Sequence, residues 1–160
     1  MLRKHHCTQL TGEGKSMPDK AILIPAALLV CWTMVMAMWM LVHRARTFSA
    51  MKTSLDKLPV GARGPDLWTR LPEGRNDWPA HNYMHLMEQP TIYYPAVVIL
   101  AIGGPTGYDV VLAWAYLVLR VIHSIYQAKV NVVKMRATLF ILSTLVMMIL
   151  SVRALLSVLN

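Results

Sequence analysis

Four long apolar runs, separated by shorter polar stretches, set the pattern of this chain. They cover residues 21–42, 79–102, 108–127 and 137–159. An α-helix rises about 1.5 Å per residue, so each run is long enough to cross the hydrocarbon core of a bilayer, which is about 30 Å thick. The strict alternation of apolar and polar residues that is typical of strands does not occur. The pattern therefore predicts an all-α fold, an integral membrane four-helix bundle.

The stretches between the runs define the predicted organisation. Residues 1–20 form a polar N-terminal tail, and residues 21–159 form a single transmembrane domain. Residues 43–76 connect the first two runs and are rich in Pro, Gly and charge, which predicts a surface loop with short helical pieces at most. The first run is longer than the apolar part of a signal peptide and is not followed by a small-residue cleavage site, so we predict a retained membrane helix.

The charge of the chain bears on topology. The formal net charge is +8, although 56% of the residues are hydrophobic. No nucleic-acid recognition motif accompanies this charge, so we expect contact with membrane lipids and no nucleic-acid partner. Lys and Arg concentrate in residues 43–76 and 128–136, and residues 103–107 contain neither. The positive-inside rule therefore places the 43–76 connector in the cytoplasm and both termini outside.

Polar side chains recur with helical spacing inside two of the runs. In the second run they are His81, His85 and Glu88, and in the third they are Tyr116, Arg120, His123 and Gln127. Spacings of three and four place each set on one face of its helix. A charged group at bilayer depth is costly without a partner, so each set marks a candidate site. We expect the third-run stripe to need a neighbouring subunit for its burial.

Two arginines accompany these sets at the same level of the membrane. Arg44 follows the first run and Arg136 precedes the fourth, both at the predicted cytoplasmic side. We interpret this convergence as a polar pocket between the helices, open to the cytosol. The alternative is that each side chain snorkels independently to the interface. Arg153, near the outer end of the fourth run, is interpreted as a snorkelling residue.

The residues of this pocket suit a small anion that also carries a positive group. Arginine pairs with carboxylates in bidentate geometry, and Glu88 can hold an ammonium. A metal site is the rival interpretation, because His81, His85 and Glu88 have ligand-like spacing and His123 could complete the set. Three nearby arginines would oppose a divalent cation, so we predict no metal.

Three motifs together resemble the MAPEG family, the membrane-associated proteins in eicosanoid and glutathione metabolism. They are His85-Leu-Met-Glu88-Gln-Pro90 in the second run, Leu119-Arg120-Val-Ile-His123-Ser in the third, and Arg136 sixteen residues after Arg120. The resemblance covers four spans in the right order, about residues 20–158, and the chain is similar to a bacterial member. It implies a homotrimer in a bacterial inner membrane, with glutathione as co-substrate bound between subunits near the cytosolic side.

The resemblance also implies roles for single residues. Arg44 matches the arginine that meets a glutathione carboxylate, and Glu88 matches the glutamate that holds the glutathione amino group. Arg120 and His123 match the third-helix motif. Arg136 matches the arginine beside the thiol in the catalytic members.

Three positions depart from the family pattern. His85 stands where the eicosanoid enzymes usually have Asn. Gln127 replaces a tyrosine, although Tyr126 is adjacent, and Ala137 stands where some members have a serine. His85, Tyr126 and Gln127 remain among the predicted glutathione-binding residues.

The function that the resemblance implies is that of a membrane-embedded glutathione-dependent transferase or peroxidase. It would act on lipophilic electrophiles or hydroperoxides that enter from the bilayer. The alternative is a non-catalytic family member that serves as a lipid-binding or accessory subunit. The changes at Gln127 and Ala137 favour this alternative, whereas the retained arginines and Glu88 oppose it.

Overall fold

The computed structural model describes residues 20–52, 56, 58–61 and 76–159. Five helices account for most of these residues, and no β-strand occurs among them. The helices are α1 Lys20–Ala50, α2 Trp78–Glu88, α3 Pro90–Gly103, α4 Gly107–Lys129 and α5 Val133–Leu159. Only Gln89 separates α2 from α3, so the two form one interrupted helix in a four-helix bundle. The all-α prediction is confirmed.

The interruption at Gln89 follows from the residue after it. Pro90 has no N–H and cannot donate a hydrogen bond to the carbonyl one turn earlier, so the regular helical ladder is broken there. Gln89 keeps right-handed helical angles (φ −66°, ψ −42°). Its Nε2 donates a hydrogen bond of 2.7 Å to Thr144 Oγ1 on α5. The continuous run predicted for residues 79–102 is therefore two helices in the structure. The hydrogen bond from Gln89 joins the break between them to α5.

Helix α1 extends beyond the predicted first run. It continues past residue 42, through Arg44 and Arg46, to Ala50. Basic residues mark where a chain leaves the apolar core of a bilayer, but arginine is a good helix former and does not end a helix. The start of the predicted connector is therefore helical. Residues 1–19 of the predicted tail and residues 62–75 of the connector lie outside the described residues.

Helix α4 packs mainly against α1, α2 and α5. Helix α3 packs mainly against α1 and α5, and it also reaches α4 through an aromatic contact. Tyr93 on α3 stacks on Tyr116 of α4 with ring centroids 4.4 Å apart. Ser124 Oγ on α4 accepts hydrogen bonds from Trp32 Nε1 and Asn82 Nδ2. One hydroxyl therefore joins α1, α2 and α4 in the interior.

An ion pair joins the start of α4 to the last third of α5. Asp109, in the first turn of α4, is 1% exposed and accepts hydrogen bonds from Arg153 Nε at 2.7 Å and Nη2 at 2.9 Å. Asp109 also accepts the Thr106 backbone N–H at 2.8 Å, as part of a capping box at the start of α4. The interpretation of Arg153 as a snorkelling residue is wrong, because a buried carboxylate holds its guanidinium.

Three helices among the described residues are long and apolar enough to cross a membrane, namely α1, α4 and α5. Helix α3 has only 14 residues. However, α2 and α3 together run from Trp78 to Gly103, which is about 38 Å at the rise of an α-helix. The polar residues of α2 lower the hydropathy of this pair of helices, and they belong to the site described next.

Candidate functional site

A cleft of about 250 Å³ opens where α2, α4 and α5 meet. Its lining side chains are His81, Met84, His85, Glu88, Gln127 and Arg136. Four of these are predicted glutathione-site residues: His85, Glu88, Gln127 and Arg136. Residues from three separate helices therefore converge at one level of the bundle.

Helix α2 supplies one wall of the cleft through its helical spacing. His81, His85 and Glu88 follow one another at intervals of four and three and point to the same side. His85 Nδ1 lies 3.0 Å from Glu88 Oε2. The Glu88 side chain is 61% exposed, so most of its carboxylate remains accessible. This wall offers one carboxylate and two imidazoles to a ligand.

The polar stripe of α4 lies beneath this wall and is buried. Arg120 is 1% exposed, His123 3% and Gln127 0%. Arg120 Nη2 donates a hydrogen bond of 2.8 Å to the His85 carbonyl, and the guanidinium carbon lies 5.9 Å from the centre of the Phe140 ring. His123 Nε2 lies 3.0 Å from Gln127 Oε1. The buried stripe therefore packs against α2 and holds its backbone in place at His85.

The burial of this stripe corrects one part of the sequence interpretation. We expected the stripe to need a neighbouring subunit for its burial, and that reason is wrong. The side chains of α2 and α5 cover it within a single chain, as the contacts of Arg120 with His85 and Phe140 show. Burial of this stripe therefore gives no reason to expect a trimer.

Several buried donors of the stripe have no acceptor among the described residues. They are the hydroxyl of Tyr116, Nε and Nη1 of Arg120, and Nε2 of Gln127. A buried guanidinium is costly unless its charge and its donors are matched. Gln127 lines the cleft and Arg120 lies directly behind it. The site is therefore rich in donors, and its chemistry fits an anionic ligand.

Arg136 stands in the first turn of α5 and lines the cleft. Its Nη1 donates a hydrogen bond of 2.8 Å to Asn131 Oδ1. Asn131 lies in the short α4–α5 connection, where it adopts a left-handed conformation (φ 56°) that Asn tolerates better than most residues. This connection holds the guanidinium beside the cleft.

Arg44 is placed differently from the other predicted site residues. Its Nε and Nη2 both donate to Asp77 Oδ2, at 3.0 and 2.8 Å. Asp77 precedes α2, and its side chain makes no capping hydrogen bond to the helix. Arg44 does not line the cleft, but it lies close enough to His81 to act on it electrostatically. The ion pair joins α1 to the start of α2.

Tyr126 also lies outside the cleft lining. It is partly buried near the end of α4, and its carbonyl accepts the N–H groups of Val130 and Asn131. Conversely, the predicted glutathione-site residues omit His81 and Met84. The four-residue spacing from His85 signals His81, although that spacing was assigned only to the rival metal site. Met84 is apolar and gives no such signal.

The same residues bear on the metal interpretation. No group of three or more His, Cys, Asp or Glu side chains within the described ranges is arranged to hold a metal ion. The His85–Glu88 pair shares the cleft with Arg136, whose positive charge makes an unfavourable environment for a divalent cation.

Comparison with known proteins bears on the same span of chain. The model of the MAPEG family matches residues 22–156. Neither the curated proteins nor the solved structures give a match. The family match covers most of the sequence, including nearly the whole of every helix of the bundle and all residues of the cleft. With three membrane-crossing helices and a family of membrane proteins that generally use glutathione, this chain is an integral membrane protein that belongs to the MAPEG family.

Proposed function

We propose that this protein is a glutathione-dependent transferase or peroxidase that acts on lipophilic electrophiles or hydroperoxides. The observation that carries the proposal is the cleft itself, which Arg136 on α5 and Glu88 on α2 both line. Glutathione is an anion that also carries an ammonium and a thiol. A small site with an acidic wall and a basic wall matches that combination of groups.

The cleft residues divide between the charges of the ligand. Glu88 would hold the ammonium of glutathione. The carboxylates would be held by Gln127, which lines the cleft, and by Arg44, which lies outside the lining. Arg44 presents one edge of its guanidinium to Asp77, and a guanidinium has five N–H donors. It can therefore keep this partner and still contact a ligand.

Arg136 would act on the thiol. A thiol of the cysteine type has a reference pKa of about 8.5, so it is mostly protonated at neutral pH. A guanidinium beside the sulfur favours the thiolate, which is the nucleophile. The position of Arg136 in the first turn of α5 adds the positive end of the helix dipole to this effect.

The proposal includes a homotrimer in which neighbouring subunits complete the site. Ligand sites usually have volumes of about 300–1,000 Å³, whereas the cleft of one chain has about 250 Å³. We also propose that the cleft faces the cytosol, because Lys129, Lys134 and Arg136 cluster at its end of the bundle. An apolar groove of about 430 Å³ between α1 and α4 offers the lipophilic partner a surface at bilayer depth.

Replacement of Arg136 tests the proposal. We expect Arg136→Met to bind glutathione with little loss, because Glu88 and Gln127 remain, but to lose the ultraviolet absorbance of the bound thiolate and the turnover of 1-chloro-2,4-dinitrobenzene. Calorimetry and absorbance of the detergent-solubilised protein measure these effects. Lys134→Met, which removes an exposed cation two residues away, is the matched control. A native protein that binds glutathione only as the neutral thiol would instead support an accessory subunit.

A further inference from the structure

The contact between His85 and Glu88 has the form of a catalytic dyad. His85 Nδ1 lies 3.0 Å from Glu88 Oε2, within hydrogen-bond distance. A carboxylate that accepts the Nδ1–H of an imidazole leaves the opposite nitrogen, Nε2, as a proton acceptor. Both side chains line the same cleft as Arg136. A proton acceptor and a cation therefore border one small space.

The surroundings of His85 hold it in place. Its backbone carbonyl accepts a hydrogen bond from Arg120 Nη2, whose side chain is buried. Its ring meets the His123 ring edge-on at 6.3 Å and the Phe140 ring at 6.5 Å between centroids. These contacts come from α4 and α5, so two other helices fix the position of the imidazole.

The charged and titratable groups around His85 come from three helices. Glu88 and His81 lie near it on α2, Arg120 and His123 on α4, and Arg136 on α5. In a catalytic triad the carboxylate orients the imidazole and stabilises the imidazolium that forms when the base takes up a proton. Glu88 stands in the position to do the same for His85.

We propose that His85 is a catalytic base for the glutathione thiol, oriented by Glu88. This inference rests on the proposed function. In conjugation with an aryl chloride, the S–H proton passes to His85 Nε2 and the sulfur electron pair forms the new S–C bond. The C–Cl bonding pair leaves with chloride, and the imidazolium returns its proton to water. Arg136 stabilises the thiolate, and His85 receives the proton that the thiol gives up.

The pH profile of His85 variants tests this role. At pH 7 we expect His85→Gln to bind glutathione within about twofold of the native protein and to turn over 1-chloro-2,4-dinitrobenzene about 100-fold more slowly, as for loss of a general base. The rate should recover as the pH rises above about 8.5, where the free thiol ionises without help. If the Gln form does not fold, His85→Asn, which has a shorter side chain, serves as a second variant.

The control is His43→Gln, on α1 and outside the residues that line the cleft, which should leave the profile unchanged. An unchanged rate in both His85 variants overturns the proposal. A rate that is lowered equally at every pH also overturns it, because it shows only a structural role. If the native protein does not bind glutathione, the proposed function itself fails, and this inference fails with it. Binding with an unaltered pH profile refutes the base alone.

Discussion

Glu88 is the acidic residue of the cleft, and its two oxygens allow two contacts at once. Oε2 lies 3.0 Å from His85 Nδ1, which leaves Oε1 for the ammonium of glutathione. We expect Glu88→Gln to weaken glutathione binding by about 1.5–3 kcal/mol, the usual contribution of a hydrogen bond to a charged group. Calorimetry measures the change, and Asp56→Asn, which removes an exposed carboxylate away from the cleft, is the control.

A second measurement on the same variant separates ligand binding from helix packing. If Glu88 served only to hold α2 against α4, Glu88→Gln would lower the Tm and leave glutathione affinity unchanged. The geometry favours the ligand role, because Arg120 Nη2 donates to the His85 carbonyl and not to the Glu88 carboxylate. Unchanged affinity would remove Glu88 from the site.

At the residue scale, local spacing predicts more than long-range pairing does. The spacing of three and four residues correctly places His85 and Glu88 on one face, and it also places Gln127 and Arg120 on one face of α4. It cannot predict that Arg153 pairs with a carboxylate 44 residues earlier in the chain. Such partners depend on how helices pack, and no periodicity within one helix contains that information.

Gly103 lets α3 approach α5 closely at the end of the bundle. A Cβ at this position would lie 2.9 Å from Ser157 Oγ, 3.0 Å from Ser157 Cβ and 3.2 Å from the Ser157 carbonyl oxygen. We expect Gly103→Ala to destabilise the protein by about 1–3 kcal/mol, as for overpacking of a close contact. Thermal unfolding in detergent should show a lower Tm.

The chain offers a matched control for this substitution. Gly107, four residues later, begins α4 and has open space where a Cβ would lie. Gly107→Ala should leave the Tm unchanged or raise it slightly, because alanine restricts the unfolded chain. Equal Tm values for the two variants would contradict a close approach of α3 and α5.

At the element scale, the sequence predicts which segments are helical better than where the helices end. The first apolar run stops at residue 42, yet α1 continues to Ala50. The apolar run shows which part of the helix lies in the hydrocarbon core of the membrane. The helix itself ends where its backbone hydrogen bonds end. The break at Gln89 escapes prediction for a related reason. Pro90 is tolerated inside an apolar run, and the bond from Gln89 to Thr144 that secures the break comes from α5.

At the scale of the whole molecule, four apolar runs suffice to predict the bundle. They predict neither the broken crossing nor the source of burial for the α4 stripe. Arg120, His123 and Gln127 are covered within one chain, because α2 carries a polar face that matches theirs. That match is visible only when both helices are placed together. The one strongly exposed charge of the α2–α3 crossing is Glu88, and the expected assembly depends on it.

Glu88 supplies the physical reason to expect a homotrimer. It lies about 15 Å along the helix from Trp78, well inside a crossing of about 38 Å, and its side chain is 61% exposed in the single chain. A carboxylate at that depth is costly against lipid, so a neighbouring subunit should cover this face of α2 and enlarge the cleft. Mass measurement and crosslinking of the detergent-solubilised protein should therefore give a trimer. A monomer that still binds glutathione would show that one chain completes the site and that water, not a second subunit, reaches Glu88.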